Sequence, residues 1–563
     1  MTIDATPSPD GAASAESSRY DPSSSGLHGP VTPGSWTTLL PPADVRPTAL
    51  SWLNPRVLFN SRNEFVARIH DPVPEFRRRW MSRLSDPEQL VVDLGYGAFS
   101  FALLGDTGEG DNSQYALLPS LKAECADVRF LFICSDLIYP AASVEDYLYK
   151  FYWPYQTLAM PIYALPGNHD WYDSLDGFME HLANVRPLPP ELPTPAPPTG
   201  VLNRVVSLLR RTLGYALWRK AAPADDLEIA RMKKLRAAWP QPVQQPGPYY
   251  VIDTEHVRLV CVDPGILGNL DAEQAAWLVR VSAESDTPKV LLTGKPLLVD
   301  GHVEPCLFLG PAVVQAGHAF RSVLDVVHHL PFGYVAAIGG DVHNYQHYPV
   351  RLSPSSDRQA SRTIHHVVSG GGGAFMHATH AIAEIAPEKV FGVTEEEFKC
   401  YPLRRDSMAV YSTVIDNRWQ KSRLGRLLAV VGIRPRLVVT PAEAGLFLRD
   451  VGHVPSNGNR PIVDADGAST AAELPAQVRR MCRLLLRLGG GKVFHRMFSP
   501  FLDWDEPPFS KNFLRIDVDA AKLTVSCFSV TGALEQEHKS MREDSFEVGW
   551  PQVGRSDPAD RVS

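Results

Sequence analysis

Four short segments of the sequence place potential metal ligands directly after apolar runs. The segments are Gly105–Gly108, Ser135–Tyr139, Gly167–Asp170 and Gly340–Asn344, and they carry carboxylate, phenol, amide and imidazole groups. Such groups bind divalent and trivalent ions. Two ions roughly 3.5 to 4 Å apart, bridged by a carboxylate, activate water and neutralise phosphate charge in phosphoester hydrolysis. The segments therefore predict a metal-centred phosphoester site.

Each of these residues also has an ordinary structural interpretation. Taken alone, Asp106 suits a turn, Asp136 a helix cap and Tyr139 an aromatic at the edge of the core. The functional interpretation rests on the combination, because suitable side chains follow four separate apolar runs.

The apolar runs alternate with polar or helical stretches, which predicts an α/β fold with buried strands. Helices are predicted at Val144–Thr157 and at Asp271–Ala283. In such a fold, strand ends would bring the four segments into one crevice. Runs rich in Val, Ile, Phe and Tyr predict strands at 99–104, 128–134, 161–165, 249–252, 257–262, 290–292, 334–338 and 364–368, with an edge hairpin at 513–518 and 523–530.

Composition shifts divide the chain into segments. A proline-rich linker at 187–198 opens the first insertion, and helical pieces are predicted at 203–220, 419–431 and 475–488. The predicted segments are a disordered arm (1–44), an N-terminal extension (45–97), a core (98–415) with an insertion (186–247), a helical insertion (416–506), C-terminal strands of the core (507–540) and a tail (541–563).

Composition also limits the partners and the compartment. The 563 residues are 44% hydrophobic and carry a net charge of −8, so no nucleic-acid partner is expected. Seven cysteines, an odd total without a Cys-x-x-Cys pair, favour reduced thiols. The opening residues lack the features of an export signal, and no apolar run approaches the roughly 20 residues of a membrane span. We predict a cytoplasmic protein.

The order of the motifs resembles that of the calcineurin-like metallophosphoesterases. The residues that carry this resemblance are Asp106, Asp136 with Tyr139, Asn168-His169-Asp170 and His343. The Asp-x-x-Tyr spacing is similar to that of the purple acid phosphatase branch. The resemblance covers roughly residues 98–185 and 248–375, and it implies a four-layer α/β/β/α sandwich, here with two mainly helical insertions.

The resemblance implies a role for each metal ligand. Asp106, Tyr139 and His343 would hold a first metal, which would be iron, manganese or zinc. Asp136 would bridge to a second metal, and Asn168 would be a ligand of that second metal.

The resemblance also implies how the reaction proceeds. A metal-bound hydroxide would attack phosphorus, and His169, buttressed by Asp170, would assist departure of the leaving group. The predicted enzyme is therefore a phosphatase or phosphodiesterase that hydrolyses a phosphate mono- or diester.

The sequence departs from the family at two positions, where Lys295 and Asp341 replace histidines. Asp341 can coordinate through oxygen, whereas a protonated Lys295 cannot be a ligand. Either the second site is weak or Lys295 supplies part of its charge by clamping the phosphate as a catalytic group. An oxygen-rich second site would favour Mn²⁺ or Mg²⁺. His302 is interpreted as a loop residue, and His377 as a core or surface residue.

Two alternatives to a simple soluble enzyme remain open. The departures at Lys295 and Asp341 are compatible with a degenerate fold that binds a phosphorylated ligand or partner without hydrolysing it. In addition, the segments 203–220, 418–431 and 477–488 mix basic and apolar residues at helical spacing. Such helices can lie on anionic membranes, so peripheral membrane contact and a small-molecule or lipid phosphoester substrate are both considered.

Overall fold

The computed structural model describes most of the predicted core and parts of both insertions. Residues 1–34 of the predicted arm, the linker 187–198 and residues 551–563 lie outside the described residues. Ser35–Leu39, within the predicted arm, forms a 3₁₀ turn in which Trp36 is buried against Phe509. The described residues are 35–44, 46, 50–84, 90–186, 201–219, 225–236, 245–353, 361–432, 435–452, 470–488, 499–532 and 540–550, with the backbone alone described at 201–207.

The strands and helices are numbered in chain order. The strands are β1 (Val91–Asp93), β2 (Phe99–Leu104), β3 (Phe130–Cys134), β4 (Ile162–Leu165), β5 (Tyr250–Asp253), β6 (Arg258–Val262), β7 (Leu270–Asp271), β8 (Lys289–Thr293), β9 (Leu298–Val299), β10 (His302–Val303), β11 (Phe308–Leu309), β12 (Val313–Gln315), β13 (His318–Phe320), β14 (Tyr334–Gly339), β15 (Tyr345–Leu352), β16 (Arg362–Ser369), β17 (Lys399–Tyr401), β18 (Lys511–Val518), β19 (Lys522–Val530) and β20 (Met541–Gly549). The helices are α1 (Pro55–Asn60), α2 (Asn63–Ile69), α3 (Val73–Met81), α4 (Asn112–Glu124), α5 (Trp153–Tyr155), α6 (Asp176–His181), α7 (Val201–Leu217), α8 (Asp226–Lys234), α9 (Ala272–Ala283), α10 (Val323–His328), α11 (Arg404–Lys421), α12 (Arg423–Val430), α13 (Pro441–Asp450) and α14 (Ala476–Leu488).

Two large mixed sheets form the core. The eight-stranded sheet has the order β1-β5-β6-β8-β14-β16-β15-β17, and the six-stranded sheet has the order β20-β19-β18-β2-β3-β4. The strands β2, β3 and β4 run parallel to one another, as do β6, β8, β14 and β16. Because parallel strands end on the same side of a sheet, the loops that follow them are close neighbours. The predicted α/β fold is confirmed.

Alternate side chains of β2 face opposite sides of the six-stranded sheet. Phe101 and Leu103 lie in the core shared with the eight-stranded sheet, whereas Ala102 and Leu104 pack with side chains of α4. Helices α9 and α10 pack against the eight-stranded sheet. The layers therefore form the sandwich that the resemblance implies. Each buried Phe or Leu contributes about 1.5 to 3 kcal/mol, so this core holds the strand ends firmly.

The predicted hairpin near the C-terminus forms, but it does not lie at the sheet edge. β18 pairs with both β19 and β2, and β19 pairs in turn with β20. Residues 541–549, within the predicted tail, therefore form a strand of this sheet. The charged sequence Arg542-Glu543-Asp544 suggests a tail. Charged residues are also common on edge strands, where they prevent pairing with strands of other molecules.

Of the two helices predicted in the core, the one at 271–283 forms and the one at 144–157 does not form as a continuous α-helix. Asp271 caps α9 by accepting a hydrogen bond from the Gln274 amide at 2.9 Å, as the prediction of a helix at 271–283 requires. The region 144–157 is instead a succession of 3₁₀, π and short α turns. Pro154 lacks the amide proton that a continuous α-helix would need there.

The helices of the second insertion share a buried apolar cluster with the part of α11 that precedes the insertion. Tyr411 of α11, Phe447 of α13 and Leu485 of α14 belong to one buried apolar cluster. Among the residues that the structure describes, no helix is both long and apolar enough to cross a membrane.

Candidate metal centre

The predicted site residues follow the carboxyl ends of parallel strands in both sheets. Asp106, Asp136 and Asn168 follow β2, β3 and β4, while Lys295 and Asp341 follow β8 and β14. The two sets of strand ends lie against each other across the sandwich. The topology therefore brings together residues that are distant in sequence.

Two glycines allow the loops of the two sheets to approach closely. A Cβ atom added to Gly340 would lie 2.1 Å from the Cys134 carbonyl oxygen and 2.9 Å from Oδ2 of Asp106. A Cβ atom added to Gly370 would lie 2.5 Å from the same carboxylate oxygen. Because real Cβ atoms do not approach other atoms so closely, only glycine fits at these positions beside Asp106.

Three acidic residues of the site have left-handed backbone conformations. The φ angles are 58° at Asp106, 31° at Asp136 and 66° at Asp341. Such angles are uncommon outside glycine, although aspartate tolerates them better than most residues. Their occurrence at three neighbouring positions indicates that the surrounding structure holds these carboxylates in place, as is typical of functional sites.

The hydroxyl of Tyr139 lies at the centre of the predicted first metal site. It is 3.1 Å from Oδ1 of Asp106, 3.0 Å from Oδ2 of Asp136 and 3.0 Å from Nε2 of His343. The distance from Nε2 of His343 to Oδ1 of Asp106 is 3.8 Å. All four side chains are buried. The structure therefore brings together the four residues that the resemblance assigns to the first metal and its bridge.

These four residues fit a metal ion. Ligand atoms about 2.0 to 2.2 Å from one ion lie roughly 3 Å apart when they occupy neighbouring positions, which matches the distances around the Tyr139 hydroxyl. Nδ1 of His343 donates to the Phe375 carbonyl at 2.6 Å, so Nε2 is free to present its lone pair. Burial lowers the pKa of His343 to about 3, and a neutral imidazole is the form that binds metals.

The electrostatics of the cluster also favour a cation. Burial, together with the charges of Asp136 and Asp341, raises the pKa of Asp106 well above its usual value. Burial is also the main cause of the raised pKa of Asp136 and of the strongly raised pKa of Tyr139. Buried carboxylates in contact need a compensating positive charge to remain ionised. A metal ion at the Tyr139 hydroxyl would supply that charge.

The predicted second metal site contains an internal cation. The Lys295 ammonium forms a salt bridge with the Asp341 carboxylate, and both side chains are less than a quarter exposed, at 19% and 24%. The Asp341 amide donates to Oδ2 of Asp106 at 2.9 Å. Asn168 donates through Nδ2 to the Tyr172 hydroxyl at 2.9 Å. Asp341 and Asn168 thus retain oxygen donors, but a second metal would have to share this place with an ammonium group.

His169 is held in a defined orientation, although not by Asp170 as the resemblance implies. Nδ1 of His169 donates to the Pro140 carbonyl at 2.8 Å, and its main-chain amide donates to Oδ1 of Asp136 at 2.8 Å. Oδ2 of Asp170 instead accepts hydrogen bonds from the amides of Leu137 and Gly167, each at 3.0 Å. Asp170 therefore anchors the loop by accepting hydrogen bonds from both of these amides.

Two aromatic residues near the centre were not predicted to belong to it. The Trp52 ring contacts the rings of His169 and Tyr139 edge-on, at centroid distances of 5.6 and 6.2 Å. Nδ1 of His377 accepts a hydrogen bond from the His343 amide at 2.9 Å, and the two imidazoles stack. Trp52 lies in a segment without a motif, so no sequence signal identifies it. His377 follows a glycine-rich run that closes on the site, which is a weak signal. His302 is exposed, and it lies in the two-residue strand β10 rather than in the predicted loop.

A separate group of acidic side chains lies close to the centre. Ligand atoms of Glu109, Asp111 and Asp503 lie within 4.8 Å of one another. Lys511 is buried beside them, and their charges oppose the lowering of its pKa that burial causes. The ammonium of Lys511 already supplies positive charge to this group.

The first part of the core matches a known family. Residues 99–198 match the family model of the calcineurin-like phosphoesterases. This range contains Asp106, Asp136, Tyr139 and the segment Asn168–Asp170. The predicted resemblance is confirmed, and phosphoester hydrolysis is supported as the general class of chemistry.

Comparisons with whole proteins are weaker. The chain is similar to the purple acid phosphatase PPD1 from seeds of yellow lupin (Lupinus luteus) at 12% identity and a TM-score of 0.32, covering 81% of this chain and 54% of that one. It is similar to PhoD at 9% identity and a TM-score of 0.34, covering 81% and 71%. The chain thus spans about half of the lupin protein. No curated protein matches the chain. Scores this low carry no inference.

Proposed function

We propose that this chain, whose residues 99–198 match the calcineurin-like phosphoesterases, hydrolyses a phosphate mono- or diester with one resident metal ion. The observation that carries the proposal is the meeting of Asp106, Asp136 and His343 around the Tyr139 hydroxyl, at 3.0 to 3.1 Å. A bound ion of iron, manganese or zinc would supply Lewis acidity and lower the pKa of a water molecule.

His169 is proposed to transfer a proton to the leaving oxygen. Because Nδ1 of His169 is committed to the Pro140 carbonyl, Nε2 is the ring atom that can carry the transferred proton. The Trp52 ring packs against the imidazole and restricts its rotation. His169 therefore acts through a defined atom in a defined orientation.

Lys295 is proposed to take over part of the role of a second metal. Its ammonium group offers three hydrogen-bond donors and one positive charge to phosphate oxygens. The Asp341 carboxylate holds it near Asp136, whose pKa it helps to lower against the effect of burial. Mn²⁺ or Mg²⁺ would bind to the oxygen donors of Asn168 and Asp341 only when the salt bridge between Lys295 and Asp341 opens.

The same ion pair favours a second candidate function. If the salt bridge between Lys295 and Asp341 prevents a second metal ion from binding, the fold would bind a phosphorylated ligand without hydrolysing it. Turnover against a panel of soluble mono- and diesters, combined with elemental analysis, separates the two functions. One ion per chain with turnover supports the enzyme, whereas no turnover on any ester supports the binding protein.

The experiment that tests the proposed function is the Asp136→Asn substitution. We expect turnover of an aryl phosphate and metal content to fall together, because Asp136 is one of four buried ligands. Asp173→Asn is the matched control, since Asp173 is also fully buried but accepts a hydrogen bond from the Gly177 amide, away from the centre. Unchanged turnover in the Asp136→Asn variant would remove the proposed role of this residue.

The cytoplasm is the proposed location. All seven cysteines are buried and unpaired, which supports a reducing compartment. A small-molecule or lipid phosphoester is the proposed substrate class.

A further inference from the structure

The described part of helix α7, residues 208–217, has apolar side chains on both its inner and its outer side. Gly214 and Tyr215 are buried against the rest of the protein. On the opposite side, Leu208, Leu209 and Leu213 are 60%, 65% and 52% exposed. A helix that packs on a soluble domain usually presents polar residues to solvent. The outer face of α7 is therefore an unusual surface that calls for a partner.

Helices α1 and α2 continue this surface. Phe59 at the end of α1 and Phe65 in α2 are 63% and 67% exposed. The guanidinium of Arg62 lies 4.0 Å from the centre of the Phe59 ring, and its Nε donates to the Leu217 carbonyl of α7 at 2.8 Å. Arg62 thus joins the exposed residues of α1 and α7. We call α1, α2 and the outer side of α7 the helical face.

Helices α2 and α7 of the helical face are firmly packed. α2 and α7 run antiparallel, because Asn63 accepts from the Arg219 amide at 2.8 Å while His70, seven residues later, packs on Gly214. A Cβ atom added to Gly214 would lie 2.9 Å from Cβ of His70. The exposed leucines of α7 and the exposed phenylalanine of α2 are therefore held in place rather than carried on a loose segment.

The helical face also adjoins the candidate metal centre. Nδ2 of Asn63 donates to the Tyr172 carbonyl at 2.8 Å. The Tyr172 hydroxyl accepts from Asn168 at 2.9 Å and donates to Glu64 of α2 at 3.5 Å. One tyrosine thus separates α2 from the loop that carries Asn168 and His169. A surface bound at the helical face would lie beside the site.

The charge of the helical face is opposite to that of the whole protein. Residues 50–70 and 208–219 contain six arginines and a single acidic residue, Glu64, although the chain carries a net charge of −8. Arg56, Arg68 and Arg210 are exposed. Exposed apolar side chains bordered by arginines match the interface of an anionic bilayer, where acyl chains accept the apolar groups and headgroups pair with the cations.

We propose that the helical face docks on the surface of an anionic phospholipid bilayer. Docking places the metal centre next to the headgroup layer, so the substrate class would be a phosphoester carried by a lipid. The proposal of membrane docking is supported by the helical face alone. The proposed substrate class also rests on the proposed function. Of the three basic segments, this assigns membrane contact to the one that contains α7.

The test is sedimentation of the full chain with vesicles of phosphatidylcholine alone or mixed with phosphatidylglycerol. We expect pelleting only with the anionic lipid, weakened by added salt. The double substitution Leu209→Gln and Leu213→Gln should lower the partition coefficient about tenfold or more. The matched control is Leu424→Gln with Leu427→Gln on α12, whose leucines are 54% and 64% exposed. The control should pellet like the wild type.

Three outcomes would overturn the docking proposal. Absence of lipid-dependent pelleting excludes the bilayer as occupant, and loss of binding in the α12 control alone would move the contact to that helix. If the wild type self-associates in size-exclusion chromatography and the α7 variant does not, the occupant is a second copy of the chain. Turnover of a soluble ester is measured in parallel and should not change in the α7 variant. Pelleting without any turnover would therefore contradict the proposed function while leaving the docking intact.

Discussion

Replacing Lys295 with histidine should convert the centre from one metal ion to two. The substitution removes the ammonium that pairs with Asp341 and adds an imidazole at the position where the family usually has one. The proposed second site already includes the oxygen donors of Asp136, Asn168 and Asp341. In the wild type we expect one ion per chain after loading with Mn²⁺ and desalting. In the Lys295→His variant we expect two.

The magnitude follows from the charge of the ammonium group. A unit charge and a divalent ion about 4 Å apart repel each other by about 2 kcal/mol in a fully aqueous dielectric and by about 8 kcal/mol at an effective dielectric constant near 20. The Lys295 and Asp341 side chains are only 19% and 24% exposed, so the true value lies between these limits. Even the lower limit weakens a second ion about thirtyfold.

Mass spectrometric metal analysis of the desalted protein measures the stoichiometry directly. Lys295→Met is the matched variant, because it removes the repulsion without adding a ligand. It should bind a second Mn²⁺ weakly, visible in a titration but lost on desalting. Two tightly held ions in the wild type would refute the reasoning, since Lys295 would then not exclude the second metal. A single ion in the Lys295→His variant, with no further binding in titration, would refute it as well.

Three further predictions concern the first metal site and its surroundings. Tyr139→Phe should lower metal affinity about tenfold or more and abolish any colour due to an iron phenolate, whereas the control Tyr250→Phe, whose hydroxyl only donates to the Ala164 carbonyl at 3.1 Å, should do neither. His169→Asn should reduce kcat about 10²- to 10⁴-fold for esters with poor leaving groups and much less for aryl esters, a difference that steady-state assays across leaving groups would detect. The raised pKa values of Asp106 and Asp136 mean that the metal-free folded state binds more protons than the unfolded chain above about pH 4, so its stability falls as pH rises. Since the loaded protein keeps these carboxylates ionised, the Tm difference between loaded and metal-free protein should widen from about pH 5 to about pH 8, and a constant difference in calorimetry would contradict this.

Local sequence patterns predicted ten of the strands (β2–β6, β8, β14, β16, β18 and β19) and the types of the site residues, but not strands such as β15 and β20. A run such as Phe99–Leu104 is long enough to be a buried strand and too short to be a typical buried helix, so its state depends little on distant residues. The same holds for the Asp271 cap of α9. At 144–157 the pattern predicted one helix, whereas the structure forms a succession of 3₁₀, π and short α turns.

Several features of the site depend on contacts that no local pattern contains. The Tyr139 hydroxyl meets His343, 204 residues away in sequence, only because two sheets place their strand ends against each other. The ion pair of Lys295 with Asp341 arises in the same way. Asp170 adjoins His169 in sequence, yet the loop turns its carboxylate toward backbone amides.

By itself, the sequence determined which chemical groups are present and which short elements precede them, since hydrophobic periodicity and turn residues act over a few positions. The tertiary structure alone decided which of these groups meet. It also decided that the outer side of α7 joins α1 and α2 in one exposed basic and apolar surface next to the site. The physical reason is that burial, electrostatic pairing and metal coordination depend on distances in space, which chain topology sets and local sequence does not.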